Sequence, residues 1–261
     1  MKKYWAIAKA ELIDASLNKA EIFLWILKET IPTMILVFLW MSNPIIGSKS
    51  NYSSSMLIMY YLLTFFISRF TGFYFENHLQ GLIRDGELSR HLVKPIKPFR
   101  YLIAQNLGGK IFHFLFIALP IVFILMMFFS EHLTFPSVIS LVTFLTFLIL
   151  AYFIRFFLCL MFSSTAFFTE QAQGMIHLHW MLDVIAGGSA LPLNFYPSWA
   201  LKIVNLLPFR FVYSVPINAY LNQPMNFVQE FAVGMAWLVI LYLTCIFIWK
   251  IGLKKYTSVG N

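Results

Sequence analysis

Long apolar runs separated by short polar segments dominate this chain. A helix that crosses a bilayer needs about 20 mostly apolar residues, because each residue rises about 1.5 Å through about 30 Å of hydrocarbon. Runs of that length predict spans at about 23–42, 55–76, 110–131, 136–160, 172–190 and 231–250. Lys28 and Glu29 fall in the first turns of the first span, where they can reach the interface or pair. The fifth run contains His177, His179 and Asp183. An ionised Asp near mid-membrane costs ~3 kcal/mol, so Asp183 is expected to face another helix or a dimer interface rather than acyl chains. The charge-free run 211–229 carries Pro216, Asn218, Asn222, Gln223, Pro224 and Asn226, which makes it too polar to span. Residues 1–21 mix Trp5, Ile7, Leu12, Ile13 and Leu17 with Lys2, Lys3, Lys9, Glu11, Asp14 and Lys19. That mixture predicts an amphipathic helix in the membrane interface, with a solvated helix as the alternative. The expected fold is all-α and polytopic, with about six transmembrane helices in a single domain over 1–261.

Composition agrees with lipid as the solvent. Hydrophobic residues make up 60% of the chain and charged residues 11%, against about 25% charged in a soluble domain. The net charge of +8 does not form a stripe between aromatic platforms, which argues against nucleic acid. Instead Lys and Arg collect in alternate connecting segments. With a cytoplasmic N-terminus, thirteen lie inside, counting Arg84, Arg90, Lys94, Lys97, Arg100 and Lys110 with those near the two termini, and three outside: Lys49, Lys202 and Arg210. The bias predicts that both termini and the 77–105 loop are cytoplasmic, with 43–54 and 191–229 outside. Such a chain belongs in a cell membrane, with lipid around it. Lys9, Glu11 and Asp14 interrupt any cleavable signal core. Cys159 and Cys245 sit in apolar runs and read as small buried hydrophobes.

Little in the chain promises catalysis. Asn106-Leu107-Gly108-Gly109-Lys110 lacks the spacing that wraps a phosphate in backbone N–H groups. His177 and His179 are two apart, turned about 200° from each other on a helix, so they cannot both grip one metal. Gly187-Gly188-Ser189 is a poor match to a membrane-protease nucleophile, because no basic partner is placed for the serine. No catalytic centre, metal site or cofactor is therefore expected. Arg69, Arg155, Glu76 and Glu170, within or near spans, read as structural pairs or snorkelling groups.

Two connecting segments are more informative. In the loop 78–100, Leu79, Leu82 and Ile83 are spaced as one apolar edge of a short helix, with Arg84, Asp85 and Glu87 as a polar rim. Gly86 permits the turn that ends it before Leu88, and Pro95 and Pro98 stop its continuation. That edge either lies on lipid headgroups or seats in a partner's groove; the residues leave both open. In the segment 191–217, Pro192, Pro197, Pro208 and Pro216 cut the chain into helices too short to cross. A re-entrant hairpin buried against protein accommodates them, with a surface loop as the alternative.

Gly86-Glu87-Leu88 followed by Leu92-Val93-Lys94-Pro95-Ile96, and Leu191-Pro192 through Tyr196-Pro197 to Leu207-Pro208-Phe209, resemble the permease subunits of ABC-2-type transporters, in a six-helix bacterial branch. The resemblance spans nearly the whole chain. One departure is the order Gly188-Ser189-Ala190-Leu191-Pro192, where family members often carry Ser-Gly just ahead of the first proline. The resemblance implies an exporter of amphipathic or bulky cargo in a prokaryotic plasma membrane. It implies pairing with a second permease chain, and two separate ATP-binding cassette subunits docked beneath. The helix over 79–88 would couple them to the spans, and Pro192, Pro197 and Pro208 would shape the outer hairpin. The competing reading is a secondary transporter driven by an ion gradient, which usually rests on an internal repeat that this chain lacks.

Overall fold

The computed structural model describes residues 2–17, 19–42, 52–73, 75–89, 98–169 and 172–256. All its regular elements among these are helices. They are α1 (Lys2–Leu17), α2 (Lys19–Ser42), α3 (Ser54–Thr71), α4 (Glu76–Arg84), α5 (Pro98–Phe112), α6 (Leu119–Phe128), α7 (Val138–Ser163), α8 (Gln173–Ile185), α9 (Ser198–Asn205), α10 (Ser214–Tyr220) and α11 (Phe227–Lys255). A π-helical turn, His113–Ala118, joins α5 to α6 without a break. Glu170 and the stretch Leu92-Val93-Lys94-Pro95-Ile96 lie outside the described residues.

Helix starts follow local chemistry. Ser53 and Ser137 accept the N–H of Met56 and Ser140 through their hydroxyls, at 3.2 and 3.1 Å, and Asn226 caps α11 by accepting from Gln229. Each satisfies a donor that the first helical turn leaves free. The two middle helices, α3 and α7, carry most of the core. Residues Leu57 to Leu63 of α3 are all buried, so this helix is enclosed on every side rather than on one stripe. By contrast, Phe116, Phe123, Met127 and Phe128 on the π-turn and α6, and Val239, Leu243 and Phe247 on α11, are exposed. Such a belt of exposed large apolar side chains is what a lipid-facing surface looks like.

Among the described residues, four helical stretches are long and apolar enough to cross a membrane: Ser54–Arg84, Asn106–Phe128, Val138–Phe167 and Phe227–Lys255. A fifth is reached if the pair Ser198–Asn205 and Pro208–Tyr220, bent by 81°, counts as one. Two of the six expected spans are not among these. The run 172–190 forms only the 13 residues of α8, about 20 Å of rise against about 30 Å of hydrocarbon. It stops because Gly187 and Gly188 turn the chain, Gly188 with φ 85°, a conformation that costs other residues a steric penalty. The run 23–42 lies in α2, where the apolar stretch found among the described residues is Thr30–Leu39.

The first helix also differs from expectation. Its apolar residues do not gather in one stripe; Trp5, Ile13 and Leu17 point outward while Ala8 is buried. What holds α1 is α5. A Cβ on Gly108 would collide with the Ala8 carbonyl and crowd Glu11, so glycine at this point lets the two helices touch backbone to backbone.

Candidate functional site

Polar side chains meet where α3, α4, α7 and α8 converge. On α7, Arg155 and Cys159 are four apart; on α8, His179 and Asp183 are four apart. That spacing puts each pair on one helix face, and the two faces oppose each other. Arg155 donates through Nη2 to Asp183 Oδ2 at 2.7 Å and through Nη1 to Thr71 Oγ1 at 2.9 Å. Thr71 passes the bond on by donating to the Ile67 carbonyl. The guanidinium lies 5.3 Å from the Tyr213 ring centroid, and the Tyr213 hydroxyl donates to Asp183 Oδ2 at 3.4 Å. Asp183 is 5% exposed. A charge so placed is sustained by a counter-charge and hydrogen bonds, because each ion loses its hydration.

One helical turn further along, Glu76 opens α4. Its Oε1 lies 2.6 Å from His179 Nδ1, and its Oε2 accepts from Trp180 Nε1 at 2.6 Å. The His179 ring stacks on Phe162 at 5.0 Å. The donor atoms of Glu76, Cys159 and His179 all lie within 4.8 Å of one another. His177, by contrast, is exposed and meets Gln173. His177 and His179 therefore lie in different surroundings, as their spacing predicts. The signal that finds the site is the matched i,i+4 spacing on two neighbouring apolar helices, with Glu76 where a third helix begins.

The short helix α4 sits against this network. Its apolar edge does not face outward as expected: Leu79, Leu82, Ile83 and Leu88 are buried in a second core with Phe73, Phe156, Phe167 and Trp249. This edge has a partner within the chain, namely the ends of α7 and α11, so neither headgroups nor another protein is needed to cover it. Gly86 makes the turn with φ 77°. Outside remain Asn77, His78, Arg84, Asp85 and Glu87. The Arg84 guanidinium, donating to Asp85 at 2.8 Å, holds that exposed carboxyl below the usual range. The Ser89 N–H donates to the Tyr256 hydroxyl at 3.2 Å, tying the loop after α4 to the end of α11.

At the other end of the molecule, three prolines open short elements, while Pro216 lies inside α10. Pro192 precedes a 3-10 turn, Pro197 caps α9 and Pro208 starts the turn before α10. Tyr60 and Tyr61 of α3 donate to the Gly188 and Ala190 carbonyls, at 2.7 and 3.0 Å, and Arg210 pairs with Glu230 at 2.7 Å. These bonds satisfy irregular backbone that lipid could not. An almost entirely apolar cavity of about 360 Å³ opens between α3, α6, α7 and α10, lined by Leu62, Phe66, Val122, Leu125, Phe144 and Tyr220.

The decisive observation is that a family model described as ABC-2 family transporter protein matches residues 27–260. The chain belongs to this family. An ABC-2 permease is a transmembrane transport subunit, itself not catalytic, that works with an ATP-binding subunit. Comparison with curated proteins and with solved structures gives no significant match. In this permease, Arg155 with Asp183 and Glu76 with His179 link α7, α8 and α4, and α4 keeps Asn77, His78 and Arg84 outward.

Proposed function

We propose that this permease exports an amphipathic or bulky cargo across a prokaryotic plasma membrane. Two permease chains would pair above two ATP-binding cassette subunits. The observation that carries the reading is the family match over 27–260. A chain without a phosphate-binding loop must receive its energy through a protein contact. In this reading both termini and the 77–105 loop are cytoplasmic, 43–54 and 191–229 lie outside, and α4 couples the ATPase to the spans. The bond from Ser89 to Tyr256 supports a common side for α4 and the end of α11. The coupling surface is the outward polar face, Arg84, Asp85 and Glu87, rather than Leu82 and Ile83. Six crossings result if α2 spans and α8 climbs to the Gly187-Gly188 turn, with α9 and α10 re-entering from outside. The apolar cavity beside α3 suits the greasy part of such a cargo.

The test is purification of the affinity-tagged chain in mild detergent from its own membranes. The expected result is a co-purifying ATPase subunit, vanadate-sensitive ATP hydrolysis, and a permease dimer on chemical cross-linking. A homogeneous permease without ATPase, whose vesicles accumulate dye under an ion gradient alone, would replace this reading with secondary transport.

A further inference from the structure

We propose that Glu76, Cys159 and His179 form a binding site for one borderline divalent metal ion of the Zn²⁺ class. The three residues come from three helices, α4, α7 and α8, and their exposures are 4%, 2% and 2%. Their donor atoms lie within 4.8 Å of one another. Around Zn²⁺, with bonds of about 2.0–2.3 Å, ligand atoms stand about 3.3–3.7 Å apart. The His179–Glu76 contact of 2.6 Å has to open slightly and the thiol to close slightly, movements that side-chain rotation supplies.

The donor set selects the ion. One sulfur, one imidazole nitrogen and one carboxylate oxygen suit Zn²⁺ and its neighbours. Ca²⁺ and Mg²⁺ want six or more oxygens. Charge selects it too. A thiolate and a carboxylate with a neutral imidazole carry two negative charges, which a divalent ion neutralises; a monovalent ion would leave an uncompensated charge inside the protein. Arg155 does not take that role, because it is held by Asp183 and Thr71. On loading, the Cys159 thiol proton goes to water, as does the second imidazole proton if the ring was charged. Trp180 already holds Glu76 Oε2, the kind of outer hydrogen bond that orients a ligating carboxylate. Three protein ligands leave a fourth position, which water can take.

The site does not depend on what the permease carries. An ion here would tie α4 to α7 and α8, and so brace the short polar-faced helix against the spans. The experiment uses the full chain purified in detergent, stripped with chelator, loaded with Zn²⁺ and desalted, with metal counted by mass spectrometry. Co²⁺ loading then reports the thiolate through its sulfur-to-cobalt absorption band. The expected result is one ion per chain, a cobalt–thiolate band, and at least a tenfold weaker affinity without the band in Cys159→Ala. Cys245→Ala should keep both, since that thiol lies apart and donates to the Phe157 carbonyl. Wild-type protein that retains no stoichiometric ion, or a band that survives Cys159→Ala, would show the cluster to be a hydrogen-bonded group only.

Discussion

At the scale of single residues, the chain's stability turns on how its buried charges are matched. Asp183 was legible in the sequence as a charge needing a partner, but the partner was not, because Arg155 lies 28 positions earlier and only the packing of α7 on α8 joins them. Removing one member of a buried pair strands the other, at about 3–5 kcal/mol, while removing both is far milder. Asp183→Asn should therefore lower the thermal unfolding midpoint of the purified chain sharply, and the double variant Arg155→Met, Asp183→Leu should recover much of the loss. A single variant as stable as the parent would mean that the pair contributes nothing. Lys110 shows the other solution to a buried charge. Its Nζ lies 4.4 and 4.2 Å from the Phe73 and Tyr152 ring centroids, an aromatic cage for a cation.

At the scale of elements, α4 shows how a pattern can be read correctly and aimed wrongly. The i, i+3, i+4 spacing of Leu79, Leu82 and Ile83 marked a real apolar edge, but spacing does not say what covers it. Leu82→Asp should unfold or misinsert the chain, since it buries an unpaired charge at a cost of several kcal/mol. Reversing the charge of Asp85 and Glu87 to Lys should leave thermal stability within about 0.5 kcal/mol, as for ordinary surface changes, while ATPase co-purification falls. Stability unchanged by Leu82→Asp would contradict the burial, and co-purification unchanged by the charge reversal would remove α4 from the coupling proposal. The N-terminal helix gives a further test. Gly108→Val places a branched side chain against the Ala8 carbonyl, so hydrogen exchange in α1 should rise while the spans stay protected. Equal exchange in both proteins would mean that α1 is held by something other than this contact.

For the whole molecule, the proposed topology follows from the thirteen-to-three division of Lys and Arg. With a membrane-impermeant maleimide on intact cells, Ser48→Cys should label and Ser89→Cys should not. The reverse result would turn the molecule over and place α4 away from any cytoplasmic ATPase.

The sequence by itself determined the solvent, the all-helical class and the position of four long spans, because apolar length and helical rise are properties of a segment alone. Pro192, Pro197 and Pro208 also marked where short elements of the segment 191–217 begin, since a ring without an N–H sits readily at a helix start and poorly in its interior. Tertiary structure decided what local pattern cannot hold. It shortened α8 at the Gly187-Gly188 turn, which packs beneath Tyr60 and Leu193. It turned the α4 edge inward, and it brought Glu76, Cys159 and His179 together from three helices. Each of these depends on residues far apart in the chain becoming neighbours, and hydrophobic periodicity says which face is buried but not against what.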